Sequence, residues 1–167
     1  MRLVIMRHCR AATVGSYADA DRPLLPAGVE QAESAGRVLL RFGPRPATVL
    51  TSPLRRCRET AAHVAGMLQL PESAIHVVDV LAPGGSPRRI LHAVAEHAQA
   101  DVLVIGHQPD LEMLAAFLLT GRGAARLRLR PGGCACFELA DGARPAYLDW
   151  CLLPEQIEAI ASAGADG

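Results

Sequence analysis

"RLVIMRH", residues 2–8, is an apolar run that ends abruptly in an arginine and a histidine. Leu3, Val4, Ile5 and Met6 follow one another without polar alternation, the pattern of a strand buried on both faces of a sheet. Arg7 and His8 then fall at its carboxyl end, which is where open α/β sheets bind ligands. A cation and a titratable ring placed there suit an anion site with a nucleophile, although an arginine after a strand is also compatible with ordinary solvated surface. The design recurs at "DVLVIGHQP", where Val102–Ile105 form a second apolar strand and His107 stands just beyond it. If the two strands are neighbours, both imidazoles face one small volume.

Working outward, residues 9–28 are polar and rich in glycine and proline, and read as a long loop over the strand ends containing Arg22. Pro26 and Gly28 mark entry to a helix over 29–42. Residues 47–52 are a strand candidate, with Ser52 and Pro53 suited to cap a helix over 53–68. That helix opens with Arg55, Arg56 and Arg58, which oppose the helix dipole. They form either an exposed basic patch or, with an anion held between them, a phosphate site. Residues 74–81 read as a third strand and 87–97 as a helix, with His63, His76, His92 and His97 as surface or structural residues. Beyond residue 125, alternating segments separated by turns at "PGG" and "ADGA" predict antiparallel strands closing one side of the sheet, before a short helix over 154–162.

The 167 residues suffice for one domain with its own core, and all 17 basic residues are arginine, balanced by 17 acidic ones. Balanced charge and scarce aromatics argue against nucleic-acid binding. The apolar run at 3–6 is far too short for a secretory signal or membrane span, so a cytoplasmic chain with no membrane partner is expected. Five cysteines without regular spacing predict reduced thiols rather than a disulfide framework. Cys134 and Cys136 share a strand face, but their spacing is poor for zinc.

Three segments then carry a family resemblance: "MRH" at the first strand end, "TSPLRRCRETA" at the helix after the second strand, and "VIGHQP" at the later strand end. Together they resemble the signatures of the histidine phosphatase superfamily, and "RPLLPAG" and "LAPGG" resemble its compact SixA-type, phosphohistidine phosphatase branch. The resemblance implies a phosphoglycerate mutase-like α/β fold: a three-layer αβα sandwich with a mostly parallel central sheet and an antiparallel C-terminal edge, as one domain over residues 1–167. It implies His8 as the nucleophile that becomes phosphorylated, Arg7 and Arg56 as phosphoryl clamps, His107 as a second histidine stabilising the transition state, and Arg22 as an additional phosphate ligand. No cofactor or metal is implied, and the expected partner is a phosphorylated protein or a small phosphorylated substrate, met by a monomer.

The chemistry agrees with this division of labour. Phosphoryl transfer requires positioning and charge stabilisation of three equatorial oxygens, which arginines and a histidine supply. Two departures from the family pattern stand out. Cys9 replaces the usual glycine after the histidine, which raises thiolate catalysis as an alternative. The carboxylate that larger members use to protonate an alcohol leaving group is missing from residues 80–95, leaving Asp79 or a loop carboxylate. An alkoxide needs such an acid, whereas the imidazole of phosphohistidine departs readily once protonated. A phosphohistidine phosphatase is therefore expected. The alternatives are a small-molecule phosphomonoesterase and a phosphoryl-binding module without turnover.

Overall fold

Residues 2–8 earn their unbroken apolar run by being covered on both sides. A computed structural model describes residues 1–97, 100–123, 126–139 and 145–163. Strand β1 (Arg2–Arg7) has Leu3, Val4, Ile5 and Met6 fully buried. Val4 and Met6 pack into one cluster with residues of helices α1 (Pro26–Phe42), α2 (Arg55–Met67) and α5 (Pro154–Ala163). Leu3 and Ile5 point the other way, into a cluster with α3 (Pro87–His97) and α4 (Asp110–Thr120). Strand residues alternate in direction, so a two-sided core demands apolar side chains at every position. Each such side chain, fully buried, stabilises the fold by about 1.5–3 kcal/mol.

The central sheet is completed by β2 (Thr48–Thr51), β3 (Ile75–Val77), β4 (Val102–Gly106), β5 (Cys134–Glu138) and β6 (Tyr147–Leu152), in the order β3-β2-β4-β1-β5-β6. The first four in that order run parallel, and β5 and β6 are antiparallel. Sandwiched between two helical layers, they form the three-layer arrangement expected. β1 and β4 are direct neighbours with Arg7 opposite Gly106, and His8 N–H donates to the Gly106 carbonyl (3.1 Å). The two histidines thus leave the same sheet edge side by side.

Several boundaries differ from expectation. α1 begins at Pro26, three residues early, with proline in its favoured first-turn position. α2 begins at Arg55 rather than at residue 53: Ser52 Oγ accepts the Leu54 N–H (3.3 Å) ahead of the helix and also meets His107 Nε2 (2.8 Å). The third strand shrinks to Ile75–Val77, since the chain turns into a 3-10 helix at Asp79–Leu81. Residues 126–130 alternate arginine and leucine as a strand would, yet join no sheet; Leu129 is buried while its arginine neighbours are exposed. His97 is half-buried, with its ring 5.0 Å from that of His76. The expected turn at 140–143 lies outside the described residues.

Glycine 28 is fixed by proximity. A Cβ there would stand 2.0 Å from the Arg10 carbonyl oxygen, which receives the Leu25 N–H as the loop folds back on α1. Gly66, inside α2, meets nothing within 4 Å. Opposite outcomes follow for the same change. Gly28→Ala should destabilise by about 1–3 kcal/mol through overpacking, and Gly66→Ala should stabilise by about 0.5–1 kcal/mol through helix propensity. Urea midpoints measure both, and a Gly28→Ala midpoint equal to wild type would contradict the close approach.

Candidate active site

The guanidinium of Arg56 lies between the two histidines that β1 and β4 deliver. Although it comes from the first turn of α2, Arg56 is buried. Its Nε donates to His8 Nε2 (3.2 Å) and its Nη2 reaches His107 Nδ1 (3.4 Å). A guanidinium can only donate, so both facing ring nitrogens are acceptors. The tautomers follow from what the other nitrogens meet. His8 Nδ1–H donates to the Cys9 carbonyl (2.8 Å), leaving the lone pair on Nε2. His107 Nε2–H donates to Ser52 Oγ (2.8 Å), leaving the lone pair on Nδ1. The ring centroids stand 5.2 Å apart.

Burial and neighbouring cations keep both rings neutral. For His8, burial is the leading cause of a pKa pushed down to about 4, the Cys9 carbonyl opposes it, and Arg56, Arg7 and Arg22 add to it. For His107, burial again leads, followed by His8 and Arg56, bringing the pKa to about 3. Arg7 is itself lowered by burial, with Glu112 acting in the opposite direction. The result is a cationic hollow with two neutral imidazoles, an environment that attracts an anion and keeps a nitrogen nucleophile unprotonated.

Arg7 is held by the carbonyl of Leu129 (3.1 Å) and by Gln108 Oε1, both accepting from Nη1. Gln108 donates its amide to Glu112, whose carboxylate also accepts from Leu129 N–H (2.9 Å). Arg7 Nε is buried without a hydrogen-bond partner among the described residues, a donor that a ligand oxygen would satisfy. Arg22 joins the site through Asp19: it donates to Asp19 Oδ1 (3.0 Å) and to the Ala12 carbonyl (3.0 Å). Arg56 donates to the Asp19 carbonyl (2.6 Å) and to Oδ2 (3.3 Å). The structure therefore brings together all five residues picked out from the sequence: Arg7, His8, Arg22, Arg56 and His107. Of the three helix-opening arginines, only Arg56 enters the site, since Arg55 pairs with Glu59 (2.6 Å) on the surface and Arg58 is exposed.

Sequence reasoning missed the residues that hold these in place. Asp19 sits in the long loop, and nothing local marks it. Ser52, read as a cap, orients His107 instead. Asp110 is buried and accepts from Gly84 (2.8 Å) and Gly85 (3.2 Å) N–H, tying the "APGG" loop to the start of α4. Its signal was available as an acidic residue at the start of a largely apolar helix. Asp79 is exposed at the 3-10 turn after β3. The thiolate alternative fails: Cys9 is fully buried in the α1/α2 cluster, and burial pushes its thiol up to about 12. Its Cβ direction into the core is why a side chain is tolerated there. Among the described residues, no group of three His, Cys, Asp or Glu is placed to hold a metal ion.

The chain belongs to the histidine phosphatase superfamily, in its SixA-type branch, and is by that membership a phosphatase with phosphorylated substrates. The family model for the histidine phosphatase superfamily (branch 1) matches residues 3–79. Phosphohistidine phosphatase SixA of Escherichia coli (strain K12) is 34% identical over 124 residues, spanning 72% of this chain and 76% of the relative. A solved structure of the protein histidine phosphatase SixA complexed with tungstate has a TM-score of 0.81 and 28% identity, covering 92% of this chain and 97% of that one. The alpha-ribazole phosphatase from Shigella flexneri shares the fold, with a TM-score of 0.73 at 20% identity over 92% of this chain and 97% of that one.

Because both histidines titrate below their ordinary value when folded, the unfolded chain takes up protons that the folded chain refuses. Above pH 6.5 the rings are neutral in both states and exact no penalty, and the fold is destabilised progressively as pH falls from 6.5 to about 4 for His8 and about 3 for His107. Urea midpoints at pH 7 and pH 4.5 should drop less for His8→Asn and His107→Asn than for wild type. Identical drops would contradict the neutral burial.

Proposed function

We propose that the protein hydrolyses phosphohistidine in a protein substrate, with His8 as the nucleophile. The observation that carries this reading is the neutral His8 ring, fixed by the Cys9 carbonyl with its Nε2 lone pair facing into the cationic hollow. Nε2 attacks phosphorus and a new N–P bond forms while the substrate's N–P bond breaks; its electron pair goes to the substrate ring, which solvent has protonated on the other nitrogen and which leaves as neutral imidazole. Water then attacks phosphorylated His8, releasing orthophosphate and regenerating the neutral ring. Arg7, Arg56 and Arg22 hold the phosphoryl oxygens, and His107 stabilises the charge that develops on them. Each charged hydrogen bond contributes about 1.5–3 kcal/mol. The binding of tungstate, a tetrahedral oxyanion, by the similar SixA structure supports an anion in this hollow.

The substrate assignment is supported by the carboxylates. Asp19 is the carboxylate hydrogen-bonded into the site. Its slight burial acts upward on its pKa, but Arg56 and Arg22 outweigh it and hold Asp19 below the ordinary range. An acid kept ionised in this way is a poor proton donor for an alkoxide. A phosphoimidazole protonated by solvent on its other ring nitrogen leaves as neutral imidazole without an acid in the site, which favours phosphohistidine over a phosphomonoester.

In rapid-quench experiments with a 32P-labelled phosphohistidine peptide, wild type should accumulate a phosphoenzyme and His8→Ala should show none. Arg56→Ala should lower kcat by about 10²–10³-fold, the loss typical of one charge-stabilising donor. Faster turnover of p-nitrophenyl phosphate than of the phosphohistidine peptide would overturn the substrate assignment.

A further inference from the structure

Residues 122–130, "RGAARLRLR", carry four arginines and no acid in a chain whose net charge is zero. Leu129 is buried, whereas Arg126 and Arg128 are exposed. Arg2, Arg37 and Arg130 pair with Asp101, Glu33 and Glu155, whereas several other exposed arginines, Arg58, Arg88 and Arg89 among them, make no ion pair among the described residues. Arg126 and Arg128 form no ion pair among the described residues.

These two side chains line a groove of about 510 Å³ whose opposite wall is α4, with Pro109, Met113 and Ala116 supplying apolar surface. Glu112 is the acidic residue lining it, and its carboxylate is engaged with Leu129 N–H and the Gln108 amide. The groove also adjoins the reaction site covalently and through hydrogen bonds. Pro109 directly follows Gln108, which holds Arg7, and Leu129, the neighbour of Arg128, accepts from the same guanidinium. An anionic chain leaving the phosphoryl site past Arg7 would therefore meet two arginines without ion-pair partners, beside the apolar side chains of Pro109 and Met113.

Resting on the phosphohistidine-protein reading, we propose that this groove receives an acidic segment of the protein substrate that flanks its phosphohistidine. Desolvating a carboxylate against an arginine that already has a carboxylate partner gains little. Arg126 and Arg128 are free to make new bidentate pairs. Such pairs on an exposed rim act mainly on capture of the substrate, and salt weakens them.

Two phosphohistidine peptides test this, identical except that one has Asp and Glu beside the phosphohistidine and the other has Asn and Gln. Wild type should show kcat/KM at least 10-fold higher for the acidic peptide, falling as salt rises from 50 to 300 mM. The Arg126→Gln/Arg128→Gln variant should lose the preference while turning over the uncharged peptide at the wild-type rate, and Arg126→Lys/Arg128→Lys should keep part of it. Equal rates in wild type, or a preference surviving in the Gln variant, would overturn the proposal. Failure on both peptides with turnover of p-nitrophenyl phosphate would sink the phosphohistidine reading alone. Fluorescence anisotropy of the unphosphorylated acidic peptide then decides the groove: saturable binding lost in the Gln variant supports it, and no binding overturns it.

Discussion

The pairing of β1 with β4 in one particular register is the constraint on which the rest depends. With Arg7 opposite Gly106, the next residue of each strand is a histidine, and the rings meet at 5.2 Å. A slip of one residue would turn each strand's alternating side chains to the opposite helical layer as well as separating the rings. Two cores, one above and one below the sheet, therefore enforce the geometry of a site that contains no core residue. Gly106 fits this role: a Cβ there would lie 3.3 Å from Leu111, which packs at the start of the following helix.

Charge is arranged with the same economy. Arg56 sits at a helix start, where its own dipole disfavours it, and is compensated by Asp19 and by the acceptor nitrogens of two histidines. Arg7 is anchored on the far side through Gln108, Glu112 and the Leu129 backbone. The cations are thus fixed before any ligand arrives, and little reorganisation remains for the moment of reaction.

Much of this was legible in the residue order. Uninterrupted apolar runs ending in histidine located β1, β4 and the sheet edge, because two-sided burial leaves a pattern that solvent-facing strands do not. Resemblance to the family motif pointed to Arg56 among the three helix-opening arginines, and Arg56 is the one whose guanidinium lies between the two histidines. What stayed hidden was long-range and polar. Asp19 reaches Arg56 across 37 positions and Glu112 reaches Leu129 across 17, and such pairings leave no periodic trace. Ser52 was misassigned because a serine before proline suits a cap; here its hydroxyl accepts Leu54 N–H in the turn before the helix while also receiving the His107 N–H, a tertiary bond with no local trace. Residues 126–130 show the converse: alternation alone does not make a strand, and Leu129 spends its backbone groups on Arg7 and Glu112 instead of a sheet partner.

The burial of the thiols carries a chemical consequence. Cys9 and Cys57 are fully buried with pKa values pushed to about 12, Cys136 likewise rises to about 12, and Cys134 and Cys151 are also raised. Sulfur reacts with peroxides and electrophiles as the thiolate, a form that burial all but eliminates at neutral pH for the buried Cys9, Cys57, Cys134 and Cys136. Cys57 lies 3.4 Å from His107 Nε2, yet that neutral ring is itself a donor and withdraws no proton from it. The site can therefore keep sulfur against its catalytic edge and remain indifferent to oxidants that would silence an enzyme built on a cysteine nucleophile.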